Sequence, residues 1–82
     1  MTTPRPAQRV LITGADGFLG RTVVAALAQL PGIDSVVALD VREVPAERRV
    51  PGVIYLVQDI RAPGLKSALA EHSIDAVVHL AA

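Results

Sequence analysis

Three glycines, Gly14, Gly17 and Gly20, stand at intervals of three directly after the apolar run Val10-Leu11-Ile12, and they open a stretch of helical periodicity that reaches Leu30. A short buried strand that turns sharply into a helix needs a residue tolerant of positive φ, and Gly14 stands at that turn. Gly17 lets the backbone approach a phosphate with no Cβ in the way, and Gly20 lets the helix lie close on its strand. The N–H groups of Phe18 and Leu19 then face the anion, helped by the positive end of the helix dipole. The chemistry open to this arrangement is the binding of a dinucleotide pyrophosphate.

The spacing excludes neighbouring loops. G-x-x-G-x-x-G lacks the close G-x-G pair of other dinucleotide folds. A nucleotide-triphosphate P-loop needs five steps between its glycines and a following lysine, whereas Gly14 and Gly20 are six apart and Arg21 follows. A second chemical position is Asp40, which closes the run Val36-Val37-Ala38-Leu39 twenty positions after Gly20. An acid there accepts hydrogen bonds from the adenosine ribose and repels a 2′-phosphate, so it favours NAD over NADP. Arg42, two residues on, can soften that preference by reaching a phosphate itself. Asp40 also fits a plainer role as a strand-ending turn residue.

These residues need a scaffold, and the periodicity supplies one. Residues 10–13 predict a strand apolar on both faces, and 18–30 predict a helix with Leu19, Val23, Ala26, Leu27 and Leu30 on one face, stopped by Pro31-Gly32. Residues 36–39 are a second buried strand, and 42–52, with two prolines, form a loop rather than a full helix. Residues 53–57 are a third strand, 63–72 a short helix burying Leu65, Ala68 and Leu69, and 76–80 a fourth strand. Residues 1–8 read as a flexible arm and 9–82 as part of one dinucleotide-binding domain. Strands alternating with crossovers imply an α/β, doubly wound parallel sheet of order 3-2-1-4. The two helices then fall on opposite faces, and the ligand crevice lies where the order reverses, between the first and fourth strands.

Composition narrows the partners. Eight basic and eight acidic side chains balance, which gives no reason to expect nucleic acid or an acidic membrane. No apolar stretch has the length of a membrane span, and the opening Met-Thr-Thr-Pro-Arg-Pro lacks the apolar centre of a signal peptide. The absence of cysteine removes disulfides and thiolate metal sites and fits a reducing cytoplasm. His72 and His79 have no suitably spaced partner for a metal site.

With these segments placed, the chain resembles the extended short-chain dehydrogenase/reductase family, the NAD-dependent epimerase/dehydratases. The resemblance rests on Thr13-Gly14-Ala15-Asp16-Gly17-Phe18-Leu19-Gly20, on Asp40, on Asp59-Ile60 after Val53-Ile54-Tyr55-Leu56-Val57, and on His79-Leu80-Ala81-Ala82. It implies a Rossmann-type fold. It also implies that Asp59 and Ile60 contact adenine and that Leu80, Ala81 and Ala82 run beneath the pyrophosphate and the nicotinamide ribose. Asp59 alone fits a helix cap ahead of Pro63 as well. His79 has a structural place in the family motif, and we read it as a packed histidine rather than a general base.

The family's proton-transfer pair, Y-x-x-x-K, is not in these residues. Tyr55 is the only tyrosine and is followed four residues later by Asp59, while the only lysine is Lys66. No catalytic residue is assigned. Because Ala82 stands directly at the exit of the fourth strand, the expectation is an amino-terminal fragment. The later strands, the catalytic pair, dimer-forming helices and a substrate region would lie beyond it. Two functions fit: the cofactor-binding piece of an oxidoreductase, epimerase or dehydratase, with nucleotide sugars among its substrate classes, or a non-catalytic dinucleotide sensor or scaffold on the same fold.

Overall fold

A computed structural model describes residues 8–61 and 63–80. The β-branched and leucine runs form four strands, β1 (Gln8–Thr13), β2 (Ile33–Asp40), β3 (Ile54–Val57) and β4 (Ala76–His79). Between them lie α1 (Phe18–Ala28), a single 3-10 turn (Ala46–Arg48) and α2 (Gly64–Glu71). All pairings are parallel and the order is β3-β2-β1-β4, as the alternation predicts. Thr13 sits opposite both Leu39 and His79, so the carboxyl ends of the central strands finish level with one another.

The register explains the two-sided burial. Val10 and Ile12 share one face with Val36 and Ala38, and α1 covers it through Val23, Val24 and Leu27. Leu11 shares the other with Val37 and Leu39, where Leu65 and Leu69 of α2 pack. The inward residues expected of the short helix are therefore inward, with Ala68 buried. Continuous apolar sequence is what a central parallel strand needs, since both its faces are covered. β3 and β4 are edge strands and are only half-covered: Val77 is 50% exposed.

Two expectations need correction. Gln8 belongs to β1, not to a flexible arm: it pairs with Ile33, and its N–H donates to the Gly32 carbonyl at 3.2 Å. Residues 1–7 lie outside the described residues. The buried stripe of α1 is Gly20, Val23, Val24 and Leu27, whereas Ala26 is exposed and Leu19 and Leu30 are 57% and 51% exposed. The helix phase follows from Gly20 being pressed onto the turn, which sets an i, i+3, i+4, i+7 stripe from that residue. Leu30 falls outside because α1 closes at Ala28, where the Gln29 N–H bonds back to Ala26. Among the described residues, no helix is long and apolar enough to cross a membrane.

Candidate functional site

The turn between β1 and α1 is built as its glycines require. Gly14 has φ +70°, a left-handed conformation that costs glycine little. Gly17 is the N-cap of α1 and makes no side-chain cap. The first helical bond runs from the Arg21 N–H to the Gly17 carbonyl, 2.9 Å, so the amides of Phe18, Leu19 and Gly20 precede any intrahelical acceptor. A Cβ on Gly17 would meet only the Gly14 carbonyl oxygen, at 3.4 Å, which leaves the space in front of the loop free. Gly20 is the opposite case. A Cβ there would overlap the Gly14 oxygen and lie 2.9 Å from two backbone atoms of Ala15, so the close approach is of helix to turn rather than helix to strand.

A cleft of about 540 Å³ opens at the carboxyl edge of the sheet. Its size is in the range that holds small-molecule ligands. Gly14, Gly17, Asp40, Asp59, Ile60 and Leu80 line it, together with Asp16, Arg42 and Arg61. Of the other residues expected at the site, Phe18 and Leu19 lie outside the lining and Gly20 is buried behind the turn. Ala81 and Ala82 fall outside the described residues. The cleft lies mainly over β1, β2 and β3 and reaches β4 through Leu80, so the expected position between the first and fourth strands is shifted. Its walls are the segments leaving β2 and β3, whereas β4 is an edge with no described neighbour on its far side.

Asp40 does more than end a strand. Its Oδ2 accepts the Asp16 N–H at 2.9 Å and its Oδ1 accepts the Arg42 N–H at 3.2 Å, which ties the glycine loop to the end of β2. A carboxylate has about four lone-pair sites, so acceptor capacity remains for ribose hydroxyls. The two backbone donors also hold the group in one orientation. Arg42 is exposed at the cleft, with no ion pair among the described residues.

Asp59 is held by its own neighbour. Oδ1 accepts the Arg61 N–H at 2.9 Å, and the Arg61 guanidinium reaches Oδ1 at 3.2 Å and Oδ2 at 3.0 Å. The Arg61 side-chain and backbone hydrogen bonds hold this carboxyl below the usual carboxylate range. The alternative of a cap on the following helix is not realised, because the N-cap of α2 is Pro63 and no side chain caps it. The chain turns at Asp59 instead.

His79 is bonded as a structural histidine, though it is exposed and not packed. Its Nδ1 lies 2.7 Å from Thr13 Oγ1, which also accepts the Leu80 N–H at 3.1 Å. That arrangement links the ends of β1 and β4. The exposure arises because β4 is an edge strand whose Val77 face has no cover among the described residues. Tyr55 is likewise engaged: its hydroxyl accepts the Val50 N–H at 2.8 Å, and its ring lies under the Arg49 guanidinium, 5.3 Å from the centroid. Among the described residues, no group of three or more His, Cys, Asp or Glu is placed to hold a metal.

Sequence reasoning missed the Asp16–Arg48 pair. Arg48 Nε donates to Asp16 Oδ1 at 3.0 Å and Nη2 to Oδ2 at 2.7 Å. The hydrogen bonds from Arg48 lower the Asp16 pKa, with partial burial opposing them. No spacing rule links residues 32 positions apart, so nothing in the linear pattern could have found it.

Comparison with known proteins bears on the family and the fold. The model of the NAD dependent epimerase/dehydratase family matches residues 10–82. An uncharacterized protein of Mycobacterium tuberculosis is 37% identical over 81 residues, covering 96% of this chain and 22% of its own length. The L-threonine dehydrogenase of Clostridium difficile superposes with a TM-score of 0.79 at 25% identity, covering 95% of this chain and 25% of that one. A UDP-glucose 4-epimerase from Thermotoga maritima, solved with UDP-glucose, gives 0.76 at 27% identity, covering 92% of this chain and 24% of that one. The chain thus spans about a quarter of the length of these proteins.

Proposed function

The chain belongs to the NAD dependent epimerase/dehydratase family, and from that membership we propose that its cleft binds the adenosine and pyrophosphate part of NAD. The observation that carries the reading is the joint lining of one cleft by the glycine turn and the Asp40 carboxylate, with open space in front of Gly17. In this reading the first amides of α1 bind the pyrophosphate, Asp40 accepts the ribose hydroxyls, and Ile60 gives the adenine an apolar contact. The nicotinamide, when bound, supplies reversible hydride transfer.

The intact protein is then an oxidoreductase, epimerase or dehydratase, in which these residues hold the cofactor and residues outside them move the proton. Because the similar structures include both a sugar-nucleotide epimerase and an amino-acid dehydrogenase, the proposal is of a reaction class, not of one substrate. A cytoplasmic setting is part of the reading, supported by the cysteine-free sequence.

Cofactor preference tests the role of Asp40. A carboxylate facing a 2′-phosphate is a like-charge pair, and such contacts cost several kcal/mol, so NAD is expected to bind at least about tenfold more tightly than NADP. Asp40→Ala removes the repulsion and also releases the Asp16 N–H. It is therefore expected to weaken NAD while narrowing or reversing the ratio. Titration of both cofactors against both proteins reads this directly, and equal or tighter NADP binding to the wild type refutes the role.

A further inference from the structure

The glycine loop carries an acid where an anion is to bind. Asp16 stands between Gly14 and Gly17 and lines the same cleft, so an ionised carboxylate adjoins the amides that the pyrophosphate needs. Left alone it would oppose the positive potential of those amides. It is not left alone. Arg48 meets it with two parallel hydrogen bonds, the fork geometry that a guanidinium makes with a carboxylate and an ammonium cannot. Arg21 and Arg42 also act on Asp16 through space, but Arg48 is the cation bonded to it.

The position of Arg48 is itself secured. It ends the 3-10 turn Ala46–Arg48, and the next residue, Arg49, donates from Nε to the Val44 carbonyl at 2.8 Å, with Val44 buried. Val50 is bonded to the Tyr55 hydroxyl on β3. The segment is therefore anchored to the body of the sheet on the carboxyl side of Arg48. At the other end of the pair, the Asp16 N–H is bonded to Asp40. One residue thus links the glycine loop to the ribose-facing acid through its backbone and to the β2–β3 connection through its side chain.

Resting on the reading of the cleft as a dinucleotide site, we propose that Arg48 is a positioning residue that cancels the Asp16 charge, so that an acidic glycine loop can accept a pyrophosphate. Arg48 does not touch the ligand in this account. It acts through Asp16, and its effect is electrostatic more than architectural.

The two kinds of effect separate in a double-mutant cycle on the intact protein, titrated with NAD at low ionic strength. Charge cancellation predicts that Arg48→Ala weakens binding by about tenfold, the order expected for one exposed unit charge near an anion. Asp16→Asn then tightens binding by about threefold, since the Arg48 charge is unopposed, and the double variant returns to within about threefold of wild type. Raising the salt shrinks the Arg48→Ala deficit, because exposed charges are screened. Arg48→Lys keeps the charge and loses only the fork, so it retains affinity within about threefold, and it tests the idea even if Arg48→Ala does not fold.

A purely architectural pair predicts otherwise. Asp16→Asn would then lose as much as Arg48→Ala, Arg48→Lys would lose as much again, and the double variant would show no recovery. Those results overturn the proposal, as does an Arg48→Ala protein that folds and binds as the wild type does. A wild type that binds no NAD overturns the underlying reading and the proposal with it, so the two failures are distinguishable.

Discussion

Gly17→Val is expected to lower NAD affinity by more than about a hundredfold while leaving the protein folded. The two halves of that statement come from one geometric fact. A Cβ at Gly17 meets a single protein atom, the Gly14 oxygen at 3.4 Å, and otherwise points into open space. The residue has φ −71° and ψ 168°, an extended conformation that valine adopts readily. The cost to folding is thus limited to a poorer N-cap, about 0.5–1 kcal/mol. In the proposed reading, the valine fills the approach that the pyrophosphate takes to the first amides of α1. Isothermal titration with NAD, beside a urea unfolding curve, measures both halves. A variant that binds normally would place the phosphate elsewhere.

Gly20→Ala should do the reverse, damaging the fold before the ligand is considered. The added methyl would overlap the Gly14 oxygen and crowd the Ala15 backbone, and neither is the flexible end of a side chain that could move aside. Relief requires lifting α1 from the turn, which draws Val24 out of a core where it is 2% exposed. Overpacking of this kind costs about 1–3 kcal/mol and occasionally more. Against a stability of about 0.05–0.15 kcal/mol per residue, that is a large share for a domain of this size. The urea midpoint is expected to fall by about 1–2 M, given typical slopes for small proteins. Gly17→Ala is the matched control. If Gly20→Ala unfolds at the wild-type midpoint, the tight helix-to-turn contact is not what supports this corner of the fold.

These two glycines also show where sequence suffices and where it stops. Their spacing was enough to locate the turn, because a strand, a left-handed residue and a helix N-terminus leave few other solutions. Strand order followed from alternation and crossover handedness, neither of which needs side-chain detail. What the linear pattern could not supply was phase and long-range pairing. The periodicity places Val23 and Leu27 of α1 inward as they are, but it also points Leu19, Ala26 and Leu30 inward, because the true anchor, Gly20, has no side chain to register in a periodicity. Asp59 read as a cap or an adenine contact because both use a carboxylate at a strand exit. Its closure onto Arg61, two residues away, depends on a local turn that composition does not encode. Asp40 lines the cleft, and its bond to the Asp16 amide emerges only when residues 24 apart are brought together.

The most direct test of the central claim is a titration of the intact, isotope-labelled protein with NAD, followed through its backbone amide resonances. The account predicts saturable shifts concentrated at Gly14–Gly20, at Asp40–Arg42 and at Asp59–Ile60, with the Phe18 and Leu19 amides moving most. Absence of saturable shifts, or shifts centred away from the carboxyl edge of the sheet, as around Gly52, would contradict it.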